Sequence, residues 1–208
     1  RNLLLADGEL DDVVQSALAA AFASTRLITI APLGAETAVS TPIYYYLGPA
    51  YHMIHAREES GLHQFSLLAN DALLTLALQH RLSPILVGDA DYPALELPMA
   101  QLELIGVAGL KQGRAVAQKQ LMAAGATADV ARALAATLAE ASYTAVSLID
   151  FEAGEAATQQ LVLLHGAGQA WSVVRRSATD VAVQATALTA VEAQLADFII
   201  ERAASASG

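Results

Sequence analysis

Apolar residues recur at two different spacings along this chain, and the switches between them mark out its elements. Val14, Leu18 and Phe22 stand four apart and predict one inward face of a helix. The acid-rich stretch Asp7-Gly8-Glu9-Leu10-Asp11-Asp12 opens that helix, where the dipole favours negative charge. The β-branched run Arg26-Leu27-Ile28-Thr29-Ile30-Ala31 predicts a strand closed by Pro32, followed by a mostly polar loop from Leu33 to Thr41. Residues 43–47, 50–55 and 62–68 predict three further strands, broken at Gly48-Pro49 and joined by a charged hairpin turn over 56–61. Asn70 stands where it caps a helix that ends near His80-Arg81.

Residues 82–98 read as a connector carrying Pro84, Pro93 and Pro98. From Pro98 the pattern turns helical: Met99, Leu102 and Ile105 share one face, with interruptions at Gly106 and Gly109. A second helix runs from about 111 to 124 and stops at Gly125; Thr127 caps a third, which carries Val130, Leu134 and Leu138. Residues 143–149, 160–165 and 169–175 predict strands, the last two joined through Gly166-Ala167-Gly168. Ser177 to Asp180 then reads as the N-cap of a long final helix through Val183, Leu188, Val191, Leu195 and Phe198, with 205–208 fraying.

The two ends of the chain resemble each other. Residues 17–30 parallel 135–148: in each, an alanine-rich helix reaches an Ala-Ser pair, Ala23-Ser24 or Ala141-Ser142, and a strand follows at once. His55, the turn ending at Gly61, Phe65 and Asn70-Asp71 make a second series, matched by His165, the 166–168 turn, Trp171 and the 177–180 stretch. The expectation is an α/β (α+β) fold: one domain over 1–208, built as a quasi-two-fold repeat of helix–strand–hairpin–helix. Its halves fall at about 1–80 and 127–204 and form one mainly antiparallel sheet, with a helical insert at about 98–125 between them. Either half alone leaves a sheet face uncovered, and joining the halves buries it.

Composition narrows the chemistry. The 208 residues are 55% hydrophobic and only 15% charged, enough apolar material for a core with some left for a partner. The net charge of -10, with Lys111 and Lys119 the only lysines, argues against nucleic acid as a partner. The absence of cysteine excludes disulfides, thiolate metal clusters and a cysteine nucleophile. No apolar run reaches the roughly 18–20 residues of a membrane span. The sequence opens at Arg1, so a missing targeting peptide says little about location.

Catalytic, cofactor and metal patterns are all weak. His52 and His55 are three apart on a strand and point to opposite faces, whereas His55 and His63 meet across the hairpin in some registers. A small-molecule-binding or metal-dependent enzyme using His52, His55 and His63 is therefore the alternative reading. Asp89 and Asp91 are paired acids with no nearby general-acid partner. The glycines of 106–113 fit neither nucleotide-binding spacing, and no Gly-x-Ser-x-Gly elbow occurs. Tyr44 and Tyr46 share one strand face and Tyr45 takes the other, so one of these faces suits a ligand or partner. The helical insert carries more apolar positions than one buried face needs. The candidate partner-binding residues are Met99, Leu102, Ile105, Leu121, Met122 and Leu134.

Several of these segments resemble one family. The stretch Leu121-Met122-Ala123-Ala124-Gly125-Ala126 before a helix, the strand Ala145-Val146-Ser147-Leu148, and the hairpin into Gln169-Ala170-Trp171 are similar to the C-terminal half of the EspG family. These are cytosolic chaperones of type VII (ESX) secretion in mycobacteria and related actinobacteria. Leu97-Pro98-Met99-Ala100-Gln101-Leu102 resembles the segment that opens the family's middle helices, and 51–76 its first hairpin and helix. Two departures are the little room that Arg1 leaves for the strand usually found before the family's first helix, and a short 34–41 loop. The resemblance implies a cytoplasmic chaperone without catalysis or cofactor. It would hold a PE–PPE heterodimer by the tip of the PPE partner, through the 34–41 loop, the hairpin rim and residues 99–138. Self-association through the same apolar patch is the third reading.

Overall fold

The computed structural model describes residues 12–33, 41–58, 60–88, 91–152 and 157–205. The helix start at Asp7 to Asp11, most of the 34–41 loop, Asp89 and residues 206–208 lie outside them. In chain order, α1 (Asp12–Phe22) leads to β1 (Arg26–Leu33), β2 (Ile43–Leu47), β3 (His52–Arg57), β4 (His63–Leu68) and α2 (Asp71–Leu82). Then come β5 (Leu95–Pro98), α3 (Met99–Gln112) and α4 (Arg114–Ala123). The chain closes with α5 (Ala128–Ala139), β6 (Ser142–Asp150), β7 (Ala157–Gly166), β8 (Gln169–Arg175), β9 (Asp180–Ala185) and α6 (Leu188–Ser205).

These elements make a mixed α/β fold on a nine-stranded sheet, in the order β4-β3-β2-β1-β6-β7-β8-β9-β5. Every pairing whose register is described is antiparallel. One helix, four successive strands and a second helix occur twice, as α1 to α2 and as α5 to α6, with β5, α3 and α4 inserted between. The first alignment read from the sequence thus matches α1–β1 with α5–β6. The second is displaced by one strand: His55 lies on the third strand of its series and His165 on the second.

The chain forms two compact units. One comprises Arg1–Leu78, Val146–Gln160 and Ala196–Gly208. In it α1 packs on β2, β3 and β4. Alternation along β1 and β2 buries Ile28, Ile30, Tyr45 and Leu47. The inward side of α1 centres on Ala17, flanked by Val14, Leu18 and Ala21, whereas Phe22 is exposed. The four-residue series expected from the sequence drifts round the helix, and the 14–17–18–21 series keeps to one side. Pro32 does not close β1, which runs on to Leu33, although its pairing with β2 ends at Ile30. The Asn70 cap forms, its side-chain oxygen accepting the Leu73 N–H at 3.0 Å.

Gly48 turns the chain between β2 and β3 in close quarters. A β-carbon there would stand 2.6 Å from the Tyr51 carbonyl oxygen and 3.4 Å from that of Ala20. Gly48→Ala is expected to cost about 1–3 kcal/mol through overpacking, read as an earlier thermal transition by circular dichroism.

The second unit comprises Gln79–Ala145 and Leu161–Leu195. Its core joins Leu102, Ile105, Leu121, Leu134 and Leu138 from the helices to Leu95, Leu97, Trp171, Val173, Val181 and Val183 from the strands. Three expectations change here. The 82–98 connector contains β5, where Leu95 and Leu97 are buried and Glu96 is exposed. The helix at 99–112 is unbroken at Gly106 and Gly109, because these glycines lie where it meets the Leu138 side chain and Ala117; the break falls at Gly113, with φ +90°. Residues 180–185 form β9 and cap no helix. Ser177 and Thr179 bond the Asp180 carboxylate and hold it below the usual carboxylate range, so the acid closes the turn between β8 and β9.

Candidate functional site

The helical insert packs α3 along α4 and α5, and α4 along α5. Thr127 starts α5 as the sequence predicts, accepting the Val130 N–H at 3.4 Å. Beneath the helices, Trp171 is fully buried, stacked on Tyr92 with ring centroids 5.4 Å apart. Its indole N–H donates to the Thr137 hydroxyl at 3.0 Å, and that hydroxyl in turn donates to the Ala133 carbonyl at 3.2 Å. This polar chain inside the core leaves the indole satisfied and fixes α5 on β8.

The packing divides the six partner-binding candidates. Leu102, Ile105, Leu121 and Leu134 lie in the core, and Met99 packs against it from a half-buried position. Leu102, Ile105, Leu121 and Leu134 face inward, Met99 keeps part of its surface, and Met122, 50% accessible, is the most open of the set. The surplus apolar surface sits on the opposite side of α3. Leu104, Val107 and Leu110 follow one another at steps of three and are 70%, 49% and 59% accessible. On a helix of 3.6 residues per turn they sweep one outward stripe, with Glu103 and Lys111 exposed beside it.

Burial, reinforced by the carboxylate of Glu103, pushes the Tyr143 phenol up from 10.0. Gly106 passes over it, the position of an added β-carbon lying 3.5 Å from the Tyr143 hydroxyl. The small residues carry the signal that separates the two sides of α3. Gly106, Ala108 and Gly109 are buried with Leu102 and Ile105, and glycine on a helix face marks a close approach of neighbours.

The three histidines of the alternative reading do not converge. His52 is buried and its Nε2 lies 2.7 Å from the Asp71 carboxylate. His55 and His63 meet on the other face of the strands, His55 Nε2 lying 2.8 Å from His63 Nδ1. Among the described residues, no group of three or more histidine, aspartate or glutamate side chains is placed to hold one metal ion. His165, on β7, is instead bonded to the Thr144 hydroxyl at 3.1 Å.

Among the solved structures that are similar to this chain, one is similar over 92% of it. It is the Mycobacterium tuberculosis type VII secretion system chaperone EspG5, in complex with a PE25–PPE41 dimer. The match has a TM-score of 0.60 and covers 92% of this chain and 78% of that one, at 14% sequence identity. This chain has an EspG5-like fold. No family model and no curated protein matches the sequence. Among the described residues, no helix is long and apolar enough to cross a membrane.

Proposed function

We propose that this chain is a binding protein of the type VII secretion chaperone kind, which covers an apolar helical tip on the PPE partner of a PE–PPE pair in the cytoplasm and carries out no catalysis. The observation that supports this reading most is the coincidence of two features. The fold is shared with a chaperone solved with a PE–PPE dimer, and α3 turns Leu104, Val107 and Leu110 away from its own core. An exposed helical stripe of leucine and valine is costly to leave in water and matches an amphipathic helix offered by a client. Charged neighbours such as Glu103 and Lys111 suit a polar rim that sets specificity.

The test is co-expression with PE–PPE pairs, with a tag on this chain only, followed by size exclusion. A stable complex with one pair is expected. Leu104→Asp and Leu110→Asp place an unpaired charge in the apolar contact, and each is expected to cost about 2 kcal/mol or more, roughly thirtyfold in affinity. Because both side chains point outward, the thermal transition of each variant should stay within about 0.5 kcal/mol of the parent. A chain that forms no complex with any pair, or variants that bind as well as the parent, would overturn the proposal.

A further inference from the structure

The face of β2, β3 and β4 that carries Tyr44 and Tyr46 holds a second constellation. Antiparallel register places Tyr44 opposite His55 and His55 opposite Phe65, with His63 one diagonal step away on β4. The rings lie nearly parallel: His55 stacks on Tyr44 at 5.6 Å and 23°, on Phe65 at 4.7 Å and 15°, and on His63 at 5.1 Å and 24°. The His55 imidazole is therefore flanked by an aromatic ring on each neighbouring strand, which restricts its rotamers before any ligand arrives. His63, exposed at the start of β4, brings Nδ1 to 2.8 Å from Nε2 of His55.

We propose that His55 and His63 form a two-histidine site for a divalent late-transition-metal ion, with copper(II) bound most tightly. Metal–nitrogen bonds of about 2.0–2.1 Å put two adjacent donors on one ion roughly 2.8–3.4 Å apart, and the observed separation falls at the lower edge of that range. Imidazole is the ligand type that suits copper, nickel and zinc, and affinity across such sites rises to copper. Each ring lends one lone pair, from His55 Nε2 and His63 Nδ1, and keeps its proton on the other ring nitrogen. In the metal-free pair one of these two nitrogens must carry a proton to bond the other. Binding therefore shifts one ring to its other tautomer, with no change of oxidation state. With two protein donors only, the remaining coordination positions are left to solvent or to a small exogenous ligand.

The site is independent of α3 and of the chaperone reading, since it rests on β3 and β4 alone. The experiment is titration of the untagged chain with copper(II) alone, followed by calorimetry and electron paramagnetic resonance. One ion per chain is expected, with an axial signal split by two imidazole nitrogens. His55→Ala and His63→Ala should each weaken binding at least about tenfold, and zinc(II) should bind the same site more weakly. His80→Ala and His165→Ala should bind copper as the parent does. Absence of binding at protein concentrations well above micromolar would overturn the proposal. Binding that survives loss of both His55 and His63 would do so as well, and would leave the pair a hydrogen bond only.

Discussion

Trp171→Ala is expected to destabilise the chain by about 4 kcal/mol, the largest single effect anticipated from any substitution considered. The indole is fully buried among Leu102, Leu134, Leu138 and Val173, so truncation leaves a cavity that helices on one side and a sheet on the other cannot collapse to fill. It also forfeits the stack on Tyr92. For a chain of this length the loss corresponds to a fall of roughly 8–16 °C in the thermal midpoint. A companion variant separates packing from polarity. Thr137→Val keeps the volume but leaves the buried indole N–H without its acceptor, and is expected to cost about 1–3 kcal/mol. Thr137→Ser retains the hydroxyl and should cost less than the valine variant. Calorimetric unfolding of the three proteins gives the answer, and a valine variant as stable as the parent would show that the bond to Thr137 carries no net weight.

Asp150→Ala is expected to cost about 3 kcal/mol, because it strands a buried guanidinium. Arg26 begins β1 with its side chain 8% accessible, and its Nε lies 2.8 Å from an Asp150 oxygen at the end of β6. The other carboxylate oxygen accepts the Glu152 N–H at 2.9 Å. The guanidinium also donates through Nη1 to the Phe198 carbonyl, and it sits 5.0 Å from the centroid of that ring. Removing one partner of a buried pair typically costs about 3–5 kcal/mol. The contacts to Phe198 persist in the variant, which puts the expectation at the lower end. The double change Arg26→Met with Asp150→Leu replaces both charges by apolar groups and should recover most of the loss. If it is instead less stable than Asp150→Ala, the ion pair contributes more than the avoidance of an unpaired charge.

Local signals in the sequence marked much of the fold. Asn70 and Thr127 each sit one residue before a helix and bond a backbone N–H in its first turn, which a polar residue ahead of an apolar series predicts. Strands β2 to β4 and β6 to β8 follow from β-branched and aromatic runs punctuated by glycine. The misreading of 180–185 arises where a run of strand period abuts one of helix period. Val181 and Val183 fit the strand period, and Leu188, Val191, Leu195 and Phe198 fit the helix period. The switch between them carries no glycine or proline to announce it, so β9 read as the start of α6. Strand β5 has four residues and acquires its identity from pairing with β9, a long-range event. The candidate surface shows the same limit. That the insert holds surplus apolar residues was legible, but which side of α3 faces inward depends on where Leu138 and Ala117 lie against Gly109.

The division of the chain into two units has a consequence for how it can be taken apart. The backbone passes from one unit to the other after Leu78, Ala145, Gln160 and Leu195, and these points fall within α2, β6, β7 and α6. No passage runs through an exposed connector of the kind that proteases cut between domains. No single cut of the gene releases either unit whole, because each is assembled from segments far apart in sequence. A ribosome must therefore deliver nearly the entire polypeptide before either unit can close. Such a protein is poorly suited to splitting into complementing fragments, and truncation from either end should yield insoluble product more often than a smaller folded piece.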